Sequence, residues 1–206
     1  MAFTAGVVDL EAINLFQVEH GLPEGPWVYP AGVALLYAPF TALPFGVAAP
    51  LHFLLMLALL LLAALAWAAL SPLPRRWLLI GTLAWGPAAL GVIAGQNTSL
   101  ALLLVAVTAW ALIHGRDGLA GTASGLLAYK PQFAAPLVGM LLVRGRWRAL
   151  LYAAVVLALH WILGGVATGG QLDRPVAWLK NVYTYQEADF LANGWKAIRL
   201  PSLGRQ

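Results

Sequence analysis

Between Leu51 and Leu70 the chain runs without a charged side chain, and its one ionisable group there is His52, at the edge of the stretch. A helix of about 20 apolar residues, rising 1.5 Å per residue, crosses a hydrocarbon layer ~30 Å thick, and no ordinary soluble domain needs such a segment. The rest of the chain agrees, with 61% hydrophobic and 10% charged residues. An integral membrane protein of helices follows. Cysteine is absent, which excludes disulfides, thiolate zinc sites and iron–sulfur clusters. The formal charge of +4 would raise nucleic-acid binding for a soluble chain. Here the basic residues hug the ends of apolar segments and read as topology signals, so no nucleic acid is expected as a partner. Met1 to Ala12 carries Asp9 and Glu11 and lacks a basic start, unlike a signal peptide.

The arginines sort against the polar breaks. Arg75, Arg76, Arg116, Arg144, Arg146 and Arg148 mark one set of helix ends, and Gly95-Gln96-Asn97 with Tyr129-Lys130-Pro131 marks the other. Leu51 to Leu70 leads to Arg75-Arg76, Trp77 to Ala94 returns to Gly95-Gln96-Asn97, and Ser99 to Ile113 comes back to Arg116. The stretch 118–143 is cut by Lys130-Pro131, because proline removes a backbone donor and disfavours helix at the residue before it. If the two pieces form a hairpin, the arginines at 144, 146 and 148 rejoin the others; one continuous span would strand them on the opposite side. The positive-inside rule selects the hairpin. Ala149 to Thr168 then crosses outward.

Ala31 to Ala48 is apolar but broken by Pro39 and Pro44. A full crossing there would invert everything downstream, so it is expected to lie along, or dip into, the outer leaflet. The expected organisation is an outer loop at 1–30, an interfacial or re-entrant helix at 31–50, a transmembrane bundle at 51–168 and an outer polar tail at 169–206. An outer N-terminal segment with no anchor ahead of it reads as part of a longer protein.

Polar groups at membrane depth are costly and need a physical reason. Lys130 has two open readings: a cation aimed at a phosphate, or a lysine snorkelling from a helix break. Gln96 and Asn97 open a helix whose backbone N–H groups and side-chain amides suit an anion or sugar hydroxyls, and Asn97 equally suits a plain N-cap. Gly91-xxx-Gly95 and Gly121-xxx-Gly125 predict close helix packing. Of the acids Asp9, Glu11, Glu19 and Glu24, any one is chemically able to act as a general base, although exposed acids are usually just solvated. Trp27-Val28-Tyr29-Pro30 suits either sugar stacking or anchoring at the lipid interface. His114 and His160 lack further ligands at metal spacing and are expected to be neutral packing residues; no metal and no cofactor is expected.

The order of these features resembles a known family. Trp27-Val28-Tyr29-Pro30, the Leu-rich stretch Ala34 to Pro44, Gly95-Gln96-Asn97, Ala120-Gly121, Lys130-Pro131 and Arg144-Gly145-Arg146-Trp147-Arg148 occur in the sequence order of the GT87-like (DUF2029-type) bacterial membrane glycosyltransferases of the GT-C class. The resemblance covers roughly residues 25 to 160. It implies a polytopic GT-C helix bundle in the bacterial inner membrane. It also implies transfer of a sugar, often mannose, from a polyprenyl-phosphate donor to a glycan or lipid acceptor on the outer face, with inversion. Donor phosphate or sugar would then meet Lys130, Gln96, Asn97 and Tyr29, and Asp9 is the candidate base. Two departures stand out: the family's double proline is Pro30-Ala31 here, and the first span with its closely following aspartate is not seen, so Asp9 resembles a later loop position. Two other classes compete: a transporter or flippase component built on broken helices, and a non-catalytic membrane scaffold. No internal repeat is evident to favour transport.

Overall fold

The computed structural model describes residues 31–93, 96–167 and 170, and all regular structure among them is helical. The chain divides into two compact units, one of residues 36–160 and the other formed by residues 1–35 with 161–206. The described helices belong to the first unit, apart from the start of the first helix and the end of the last, which run past its limits.

Helix α1 covers Ala31–Thr41 and α2 covers Phe45–Ala68. The second begins at Phe45, ahead of the expected Leu51, because Pro44 rather than Pro50 is its N-cap residue. Helix α2 has 24 residues, enough for ~36 Å of rise. Only 22% of its most apolar window is covered by the rest of the chain, and the same share holds for α8, Trp147–Ala167. Core helices of soluble proteins are mostly covered, so these two present their hydrocarbon outward, as at Leu54, Leu62, Leu151 and Val155.

The expected single crossing from Trp77 to Ala94 is instead two short helices, α3 (Arg75–Ala84) and α4 (Gly86–Ile93), broken at Trp85, whose ψ of 109° is extended. Gly86-Pro87 supplies the cause: a proline ring clashes with the carbonyl four residues back and has no N–H to give. Helix α5 (Thr98–Ile113) matches its expected range closely. The stretch 118–143 breaks where the proline demanded. Helix α6 (Asp117–Leu126) tightens into a 3-10 turn at Leu127–Tyr129, Lys130 is extended at φ −125° and ψ 80°, and α7 runs Pro131–Val143.

This segment doubles back. Ala120 near the start of α6 and Leu141 near the end of α7 share a buried cluster with Ala111 and Ala149. Two turns built alike close that end. In each, a glycine at positive φ (Gly115 at 67°, Gly145 at 62°) lets the following arginine N–H reach the carbonyl five residues back, Arg116 to Ala111 at 2.8 Å and Arg146 to Leu141 at 3.0 Å. This is the Schellman way of satisfying the last carbonyls of a helix, and it needs the left-handed conformation that glycine adopts freely.

Helix α6 packs on α8 through glycine, as the Gly121-xxx-Gly125 spacing predicts. A Cβ on Gly121 would land on the Ala149 carbonyl oxygen, and one on Gly125 would stand 2.7 Å from Val156 Cβ. Gly91 is different, since its Cβ would meet nothing closer than Thr98 at 3.8 Å, an ordinary contact; Gly95 lies outside the described residues.

Helices α2 and α5 run in the same direction. His52, early in α2, packs on Tyr37, which is bonded to Asn97 at the head of α5, and Leu60 further along lies in the cluster that Leu102 joins. The arginines that follow α2 and α5 therefore share one end. Asn97 and Lys130 lie at the other, ~24 Å away along α5.

Candidate functional site

Three elements converge where α5 begins. Asn97 stands at its N-cap position, but its side chain makes no capping bond. Its backbone carbonyl accepts a hydrogen bond from Tyr129 Oη at 2.9 Å, as well as the Ala101 N–H at 3.3 Å. From the adjoining break, Lys130 Nζ donates to Thr98 Oγ1 at 3.0 Å, and that hydroxyl in turn donates to Gln96 Oε1 at 3.4 Å. The 3-10 turn before Lys130 directs both side chains here, Tyr129 to the backbone of Asn97 and Lys130 to the first residue of α5. Both residues are buried, with Lys130 7% exposed.

The third element is α1. Tyr37 is hydrogen bonded to the Asn97 side chain and packs its ring on those of Phe40 and His52, at centroid distances of 6.2 and 5.5 Å. An amide nitrogen is a donor and an amide oxygen an acceptor, so the two ends of Asn97 have different needs. Asn97 is 4% exposed, and its Oδ1 is buried without a hydrogen-bond partner. Buried polar atoms in folded proteins nearly always have one.

The electrostatics favour negative charge. Helix α5 starts at Thr98 and α7 at Pro131, and the Lys130–Thr98 bond brings the two starts together. Helix starts carry partial positive charge and unspent N–H groups, and a buried ammonium beside them adds a full charge. Pro131 costs nothing here, because the first N–H of a helix has no partner within it. Thr98 also lines a cavity of about 290 Å³, together with Leu60, Trp85, Ala88, Ser99, Leu102 and Phe133 among others. A cation beside a hydrocarbon-lined space matches a molecule with a charged head and an apolar chain.

Lys130, Gln96 and Asn97, singled out from sequence, thus lie together. Asp9 and Tyr29 lie outside the described residues. Sequence reasoning missed Tyr37 and Thr98. Tyr37 carries a hydroxyl inside an otherwise apolar stretch, a signal of the same kind that identified Lys130. His114 stacks on Trp110 at 4.4 Å and bonds the Trp110 carbonyl at 2.8 Å, and His160 bonds the Leu126 carbonyl, so both histidines are engaged locally. Among the described residues no group of three His, Asp or Glu side chains is placed to hold a metal ion.

No curated protein and no solved structure matches the chain. The family description glycosyltransferase family 87 matches residues 27–203, which takes in α1 to α8 and every residue of the site just described. With a match over most of its length, the chain belongs to glycosyltransferase family 87.

Proposed function

We propose that the chain is a polytopic GT-C type hexosyltransferase that takes its sugar from a polyprenyl-phosphate donor at the outer face of the bacterial inner membrane. Lys130 binds the donor phosphate. The observation that carries this reading is the buried Lys130 ammonium, bonded to Thr98 where two helices start. The adjoining apolar cavity supports a donor with a long hydrocarbon chain, whose head and tail would part at Thr98.

In the reaction the acceptor hydroxyl attacks the anomeric carbon, the bond from that carbon to the phosphate oxygen breaks, and the sugar inverts. The phosphate leaves with the bonding pair and an added negative charge. A fixed ammonium and two helix starts oppose that charge without reorganising, which is where electrostatic catalysis is strongest. The acceptor's proton passes to a carboxylate, for which Asp9 is the proposed base, and the acceptor is a glycan or lipid hydroxyl. The transferred sugar is proposed to be mannose.

The test uses the full-length protein in proteoliposomes with radiolabelled prenyl-phosphate mannose and membrane glycolipid as acceptor. Transfer is expected from the wild type, with a loss of roughly 100-fold or more in Lys130→Ala and a smaller one in Lys130→Arg, since removal of one electrostatic stabiliser costs ~10²–10³ in rate. Absence of transfer by the wild type, or full activity in Lys130→Ala, would overturn the proposal.

A further inference from the structure

The orphaned oxygen of Asn97 makes a demand that a phosphate does not meet. A phosphate diester in a lipid-linked sugar offers only acceptor oxygens, and Oδ1 is itself an acceptor. A hydrogen-bond donor meets that demand, and a sugar hydroxyl is one. Its usual duty is also unfilled: at an N-cap position the side-chain oxygen ordinarily takes an N–H of the first turn, and here it does not. The amide is instead hydrogen bonded to Tyr37, whose ring packs on those of Phe40 and His52. The neighbouring residue, Thr98, receives the Lys130 ammonium at 3.0 Å. Donor and acceptor functions thus sit on adjacent residues.

We infer that Asn97 determines sugar specificity, its Oδ1 accepting a hydrogen bond from one ring hydroxyl of the donor sugar while Tyr37 fixes the amide in that orientation. This rests on the reading of Lys130 as the phosphate site. Lys130 then recognises what all lipid-phosphate sugars have in common, and Asn97 recognises what tells one sugar from another. Tyr37 is a positioning residue: it acts through the amide and not on the sugar.

The test measures binding to the purified full-length protein in nanodiscs, so that no acceptor is needed. The probes are a short-chain prenyl phosphate alone, the same lipid carrying mannose, glucose or galactose, and the monodeoxy form of each sugar. For the preferred sugar, one monodeoxy probe is expected to bind the wild type roughly 10- to 100-fold more weakly, the usual cost of leaving a buried polar group unpaired. In Asn97→Leu the parent and that monodeoxy probe should bind equally, with discrimination at the other ring positions unchanged. Tyr37→Phe should shrink the same single discrimination by roughly 3- to 10-fold. A merely structural role for either residue would weaken all probes alike.

If the wild type binds every monodeoxy probe as tightly as its parent, the inference is overturned with no variant required, and an ordered water satisfies Oδ1. Wild-type discrimination retained in Asn97→Leu would overturn it equally. Failure of the underlying reading looks different: prenyl phosphate alone would then bind no better to the wild type than to Lys130→Ala.

Discussion

Arg146 donates to Asp117, with Nη1 3.2 Å from Oδ1, and so ties the turn after α7 to the first residue of α6. The two residues flank the hairpin that carries Lys130 at its tip. Asp117 also sits where a negative charge favours a helix start, and Arg146 follows the carbonyl end of α7, where a positive charge is favoured.

Asp117→Asn is expected to lower stability by only ~0.2–1 kcal/mol, because Arg146 is 43% exposed and water screens the pair. Thermal unfolding in detergent, compared at low and high salt, checks this: the difference from wild type should shrink as salt rises.

Gly121→Ala should destabilise far more. The added methyl would strike the Ala149 carbonyl oxygen, a backbone atom that moves only with its helix, so a loss of ~1–3 kcal/mol or more is expected. Gly139→Ala supplies the contrast, since a Cβ there has nothing within 4 Å. In mid-helix it should stabilise by ~0.5–1 kcal/mol. Denaturation midpoints of the two variants should shift in opposite directions.

Thr98→Val tests the lysine's setting without touching its charge. Valine keeps the shape and removes the hydroxyl that receives Nζ, so Lys130 loses one partner and prenyl-phosphate binding should weaken by ~1 kcal/mol, about 5-fold. An unchanged affinity would show that Thr98 does not set the ammonium's position.

His160→Leu reaches the same tip from behind. The Lys130 N–H bonds the Leu127 carbonyl at 2.8 Å, and His160 donates to the Leu126 carbonyl of the same turn. Leucine cannot, so a loss of ~1–3 kcal/mol is expected. His160→Gln retains a donor and should recover part of it, as read from thermal unfolding.

The parts of this fold that were legible in sequence are those governed by local rules. Pro131 acts on its immediate neighbours, and the break came where it required. The Gly121-xxx-Gly125 spacing states a packing requirement within two turns of one helix. The charge-free run at 51–70 revealed a helix long and apolar enough to cross a membrane but not its start, because the choice between Pro44 and Pro50 as the boundary depends on whether the first turns can bend around a proline. Gly86-Pro87 went unread for the opposite reason: the stretch around it lacks charge, and hydropathy masked a backbone break. In the site, Lys130, Gln96 and Asn97 declared themselves as polar residues in apolar surroundings. Tyr37 could not be paired with Asn97 from sequence, since nothing in a linear pattern says which distant helix will cover a given amide.

The glycine seam bears on how the protein can be handled. At Gly121 and Gly125, α6 meets α8 too closely to admit even an added Cβ, so an acyl chain or a detergent tail has no room to enter there. Solubilisation should therefore strip the lipid coat from α2 and the outward side of α8 first, while the loop tip that presents Lys130 stays in register. Ligand-binding measurements on extracted protein would then report on the same pocket that the bilayer holds.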